Sequence, residues 1–119
     1  MRIAFTSTGN NWDSQIDPRL GRTDFIVIYD EEKDQIEVHD NKDSQNQAHG
    51  AGTATVQKIA GMNIDVIITG NGPGGNASIG LSHLKTKVFI NAHGMTLKQA
   101  YEEYKKGTLK CFVETKNVT

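Results

Sequence analysis

The sequence of 119 residues contains a single cysteine, Cys111, which excludes an internal disulfide and a set of thiolate ligands within one chain. It has almost no excess charge, with 13 Lys and Arg against 14 Asp and Glu. This balance argues against a general nucleic-acid or membrane binder, so we expect neither partner. No apolar run is long enough to span a bilayer, and no signal peptide precedes the first predicted strand. We therefore expect a cytoplasmic protein.

The hydrophobic patterns that are present predict an α/β domain over residues 1–110, followed by a C-terminal tail over 111–119. Apolar, β-branched and aromatic runs predict strands over 3–6, 25–29, 35–40, 64–69 and 88–90. Helical spacing predicts helices over about 51–61, 76–84 and 96–107. In the last helix, Thr96 and Gln99 have the spacing of a capping box, and Gly107 is placed to end the helix. Residues 109–113 fit either a late strand or an ordered tail.

This order of elements restricts the topology of the sheet. A hairpin followed by βαβα units with right-handed crossovers predicts a five-stranded mixed sheet of order 3-2-1-4-5, in which only strand 2 is antiparallel. With helices on both faces, this is a three-layer α/β/α, ribonuclease H-like arrangement. Nucleases of that fold need a carboxylate on strand 1 to hold divalent metals, and residues 3–6 contain none. We therefore do not predict an enzyme.

Four strands of the predicted sheet end at one rim, which is where open α/β sheets bind ligands. The glycine-rich loop over 70–76 joins a strand to a helix, so its backbone N–H groups are able to converge on an anion. A second helix begins near His49–Gly52 at the same rim. Arg22 leads into strand 2 from this side, and a guanidinium suits a delocalised anion. Each feature also has a purely structural interpretation, as a tight turn or a local hydrogen bond.

These considerations give one set of candidate residues and no catalytic residue. His49 and His93 are candidate metal ligands, although no pair of histidines has the spacing of a zinc motif. The candidate residues for binding an anionic cofactor are Arg22, His49, Gly50, Gly52, Asn71, Gly72, Gly74, Gly75 and His93.

Several of these segments occur together in a known family. The sequence resembles the dinitrogenase iron–molybdenum cofactor-biosynthesis family across roughly residues 1–107. The matching segments are Arg2–Ala4, Asp17–Arg22, His49–Gly52, Asp65–Gly74 and Thr96–Gly107. The resemblance implies a ribonuclease H-like fold. It also implies non-catalytic binding or carriage of iron–sulfur, iron–molybdenum or related clusters, in small proteins that need not take part in nitrogen fixation.

The favoured function is therefore carriage of an anionic metal–sulfur cluster or its precursor, with a cluster donor or acceptor protein as a possible partner. One alternative is a flavodoxin-like phosphate or flavin binder, because Ser7–Asn10 after strand 1 is similar to a flavodoxin phosphate loop. That loop requires a helix directly after it, and residues 11–18 do not have a helical pattern. A metal-free regulatory interaction module is the other alternative.

Overall fold

The computed structural model describes residues 1–45, 51–71 and 85–112. Within these ranges it contains six strands: β1 (Arg2–Ser7), β2 (Phe25–Asp30), β3 (Gln35–Asp40), β4 (Val66–Ile68), β5 (Lys87–Ile90) and β6 (Lys110–Phe112). The helices of the described residues are α1 (Lys42–Gln45), α2 (Ala51–Ala60) and α3 (Leu97–Lys106). None of them has the length and apolarity that a membrane crossing requires. The helix predicted over 76–84 lies outside the described residues.

The strands form one mixed sheet of order β3-β2-β1-β4-β5-β6. β1 pairs antiparallel with β2 and parallel with β4, and β4 pairs parallel with β5. The order predicted for the first five strands recurs, with β2 antiparallel, but the prediction of five strands is wrong. The sixth strand, β6, pairs antiparallel with β5. It also crosses residue 110, where we placed the end of the domain.

One face of the sheet packs against α2. Val56 and Ile59 of the helix are buried together with alternate residues of the strands, among them Ala4, Ile28 and Ile67. The spacing of three residues between Val56 and Ile59 places both on the same side of α2, as an apolar helical stripe requires. The predicted helix over 51–61 is therefore confirmed, and its stripe faces the sheet.

The other face packs against α3, through buried Leu97 and Ala100. This helix begins as its sequence predicts. The Thr96 hydroxyl accepts a hydrogen bond from the Gln99 N–H, and the Gln99 side chain accepts one from the Thr96 N–H. Gly107 ends the helix in the left-handed conformation, at φ 77°. Since α2 and α3 lie on opposite faces, the described residues form a helix–sheet–helix arrangement.

Candidate functional site

Residues 17–24, which we call the rim segment, run across the end of the sheet where β1, β4 and β5 finish. The hydrogen bonds that join the segment to β1 include two between Asp17 and Thr6. The Asp17 N–H donates to the Thr6 carbonyl (2.9 Å), and the Thr6 hydroxyl donates to the Asp17 carbonyl (2.7 Å). The Thr6 hydroxyl also lies 2.8 Å from that of Thr69, the residue after β4. Because Thr6, Asp17 and Thr69 are all buried, this polar network links the ends of two parallel strands beneath the rim.

A second attachment joins the rim segment to the chain that leaves β4. The Asn71 N–H donates to the Pro18 carbonyl at 2.9 Å. Gly70 packs so tightly that a Cβ there would lie 2.6 Å from the Pro18 Cα and 3.0 Å from the His93 Cβ. The carbonyl of Gly70 also accepts a hydrogen bond from the Asn91 N–H (2.8 Å), which anchors the loop after β5. Glycine at position 70 is therefore required by this close approach of three chain segments.

A third attachment joins the rim segment to α2. The Thr55 hydroxyl donates to the Gly21 carbonyl at 2.7 Å. The side-chain amide of Asn41 donates to both the Thr23 carbonyl (3.1 Å) and the Thr55 hydroxyl oxygen (3.0 Å). Asn41 and Thr55 are completely buried, so these bonds are shielded from water. They hold the beginning of α2 beside the part of the rim segment that contains Arg22.

The rim segment is also braced internally by an ion pair. The Asp17 carboxylate is buried and accepts hydrogen bonds from Nε (3.1 Å) and Nη2 (3.1 Å) of Arg19. It accepts two more from the backbone N–H groups of Arg19 (3.0 Å) and Asp24 (3.1 Å). These bonds offset the cost of burying the carboxylate. The hydrogen bonds to Asp17 raise the pKa of Arg19, whose guanidinium stays charged and about half exposed.

The described residues contain four of the nine predicted binding residues. Arg22 is exposed in the rim segment, and His93 is exposed in the loop after β5. Gly52 lies in the first turn of α2, three residues before Thr55 and therefore toward the rim segment. Asn71 is exposed, but its N–H is already bonded to Pro18, so only its side-chain amide is available to a ligand. The other candidates lie outside the described residues: His49, Gly50, Gly72, Gly74 and Gly75.

The chemistry available at this end of the sheet suits an anion. Arg22 and Arg19 supply guanidinium groups, and His93 supplies an imidazole. The described residues contain no group of three or more His, Cys, Asp and Glu side chains arranged to hold a metal ion. Cys111 is exposed on β6, which lies at the edge of the sheet. The described residues at this end of the sheet thus suit an anion held by cationic side chains, without a set of thiolates.

Asp17, Arg19 and the buried threonines have structural roles that the sequence patterns did not predict. The spacing Asp-x-Arg was a usable signal for the ion pair, because a carboxylate two residues before an arginine can bond both its backbone and its side chain. The partnership of Thr6 with Thr69 had no such signal, because the two residues are 63 positions apart.

The loop after β1 bears on the flavodoxin-like alternative. Residues 8–16 form turns and short bridges, which pair Ser7 with Ile16 and Gln15 with Thr96, and they contain no helix. The Ser7 hydroxyl donates to the Gly9 carbonyl, and the Thr8 hydroxyl donates to the Gln15 carbonyl. A flavodoxin-like phosphate site needs a helix start here, so the observed loop does not favour that alternative.

A family model described as dinitrogenase iron–molybdenum cofactor matches residues 1–107. The chain belongs to this family. The match covers β1 to β5 and α3, together with all three attachments of the rim segment, and it ends before β6. Among curated proteins no match is found.

Two solved structures support the membership. The apo form of the orange protein from Desulfovibrio gigas is 33% identical to the chain, with a TM-score of 0.88. The match covers 94% of this chain and 92% of the orange protein. An NMR structure of a Thermotoga protein assigned to the DUF35 family is 28% identical, with a TM-score of 0.81 and 98% of each chain covered.

Proposed function

We propose that the protein binds an anionic metal–sulfur cluster of the iron–sulfur or iron–molybdenum type, or its precursor, at the rim and carries it without catalysing a reaction. The observation that supports this most directly is the triple attachment of the rim segment. It draws Arg22, the first turn of α2 with Gly52, Asn71 and His93 toward one end of the sheet. The family description and the likeness to the orange protein agree with a cofactor-related role.

The side chains and backbone N–H groups proposed for the site determine how such a cluster would be held. Metal–sulfur clusters are usually ligated by four cysteines, and this chain has one. Arg22 would therefore neutralise charge, and His93 and His49 would supply imidazole ligands. The proposed site also includes Gly50, Gly72, Gly74 and Gly75, whose backbone N–H groups would donate to bridging or terminal sulfur. Contacts of this kind release a bound cluster more readily than ligation by four thiolates does, and this suits transfer to or from a partner protein.

Uptake of cargo under anaerobic conditions tests the proposal. The protein would be incubated with ferrous iron and sulfide, and separately with tetrathiomolybdate, a dianion with molybdenum–sulfur bonds. After desalting, bound metal would be measured by absorption spectroscopy and elemental analysis. We expect the wild type to retain at least one of the two. If desalting removes both completely, the proposed function is wrong.

A site variant and a charge control make this test specific. Arg22→Gln/His93→Gln changes two exposed residues at the rim and should lose most of the uptake. Lys33→Gln also removes one positive charge, but it lies in the turn between β2 and β3, at the opposite end of the sheet. We expect Lys33→Gln to bind like the wild type. Equal retention by the double variant and the control would contradict the location that we propose.

Two further proposals concern the fold. We propose that the fold is ribonuclease H-like, which the order of β1 to β5 and the helices on both faces support. We also propose that residues 1–110 form one folding unit. Proteolysis followed by mass spectrometry should leave a stable core that contains residues 1–110 together with the remaining two residues of β6, since that strand is paired with β5.

A further inference from the structure

The pair formed by Asp17 and Arg19 has a geometry that a purely structural ion pair does not require. A guanidinium has five N–H donors. Nε and Nη2 of Arg19 bond the two carboxylate oxygens of Asp17. Among the described residues, the two hydrogens on Nη1 have no hydrogen-bond partner. The Arg19 side chain is 53% exposed, whereas that of Asp17 is 1% exposed. One edge of the guanidinium is thus fixed to the interior, and the opposite edge faces outward.

Arg19 also lies directly beside the close approach described above. Its neighbour Pro18 contacts Gly70 and accepts the hydrogen bond from Asn71. The Arg19 N–H is bonded to Asp17, so both the backbone and the side chain of this residue are fixed. Within the described ranges, the Asp24 carboxylate also forms an ion pair with Arg19, at 3.9 Å from Nη2 and beyond hydrogen-bond distance.

We propose that Arg19 is an anion-binding residue of the rim, and that buried Asp17 is its positioning residue, which orients the outward edge of the guanidinium toward a sulfido or oxo anion. The physical reason is preorganisation. A free arginine loses side-chain entropy when it binds a ligand, whereas one that is already held by a two-point bond loses less. This inference rests on the proposed function, because the ligand is the same cargo.

Simple electrostatics and preorganisation predict opposite results for one substitution. Asp17→Asn removes a negative charge beside Arg19, so electrostatic attraction alone predicts tighter binding of an anion. Under our proposal Asp17→Asn weakens binding, because a neutral amide offers one acceptor oxygen and cannot hold both Nε and Nη2. The sign of the change in affinity therefore distinguishes a positioning role from a mere contribution to charge.

The experiment is equilibrium dialysis of folded protein against tetrathiomolybdate, under anaerobic conditions and at fixed ionic strength. Arg19→Gln should weaken binding about tenfold or more, because a charge-assisted contact is lost. Arg19→Lys keeps the charge but not the fork, and it should weaken binding about threefold or more. Asp17→Asn should also weaken it, while Lys33→Gln stays within about twofold of the wild type.

Circular dichroism of each variant shows whether it is folded. If Asp17→Asn does not fold, the affinity of Arg19→Lys for tetrathiomolybdate tests the inference instead. Tighter binding by folded Asp17→Asn, or wild-type binding by both Arg19 variants, overturns the inference but leaves the proposed function intact. If the wild type binds neither tetrathiomolybdate nor ferrous iron with sulfide, the proposed function itself is wrong, and if it binds only the second, the same variants are compared with that cargo. The two failures are therefore distinguishable.

Discussion

Gly70→Ala tests the packing on which the rim depends. The added Cβ would lie 2.6 Å from the Pro18 Cα and 3.0 Å from the His93 Cβ. Relaxed carbon–carbon contacts are about 3.5–4.0 Å long, so Pro18 must retreat by about 1 Å. It cannot do so without disturbing the 2.9 Å bond from Asn71 to its carbonyl. Overpacking of this kind costs about 1–3 kcal/mol of the free energy of unfolding.

The assay for Gly70→Ala is urea denaturation followed by the fluorescence of Trp12, the only tryptophan. Trp12 packs edge-on against Phe5 and Tyr29, so unfolding changes its surroundings. Gly61→Ala is the matched control, because a Cβ there has its nearest neighbour at 3.7 Å. We expect the control to change stability by less than about 1 kcal/mol. Wild-type stability for Gly70→Ala would refute the close approach.

Three further substitutions test the supports around the sheet. Asn41→Ala should lower the free energy of unfolding by about 2–3 kcal/mol in urea denaturation, because it leaves buried polar partners unpaired. Thr96→Ala removes the cap of α3 and should cost about 1 kcal/mol, seen as a lower melting temperature. The hydrogen bond from Arg2 lowers the pKa of Glu37, so this carboxylate stabilises the fold at neutral pH, and its contribution is lost as the pH falls through the folded pKa. Glu37→Gln should therefore flatten the loss of stability below about pH 5, whereas Glu32→Gln should not.

Local features of the fold could be predicted from the sequence because their causes are local. The capping box of Thr96 and the left-handed Gly107 each depend on residues within one helix. Strand β6 was left open because three residues are too few for a periodic pattern, and two of them, Lys110 and Cys111, are exposed. Val38 shows that alternation predicts the face of a strand on which a side chain lies, but not how deeply that side chain is buried. Val38 is 41% exposed because β3 is at the edge of the sheet.

The candidate site was predictable only where topology alone determined it. His93 follows β5, which is parallel to β1 and β4, whereas Arg22 precedes the antiparallel strand β2. Both residues therefore lie at the same end of the sheet, and the sequence was sufficient to predict that. The sequence did not show why residue 70 must be glycine, because a glycine in a loop suggests a turn with positive φ. Its actual cause is the approach of Pro18, a residue 52 positions earlier, and no local pattern records such a contact.

In the rim segment, the groups that stabilise the protein differ from the groups that would bind its cargo. The Thr6, Asn71 and Thr55 bonds all reach backbone groups of the segment, at Asp17, Pro18 and Gly21. The segment is thus positioned mainly through its main chain, and the side chains of its two arginines extend to the exposed surface. Substitution of exposed Arg22 should therefore change affinity more than stability. Substitutions at the buried anchors should change both, and so should substitutions at Arg19, because its bonds offset the burial of the Asp17 carboxylate. A rim built in this way can alter its ligand preference while keeping the same sheet.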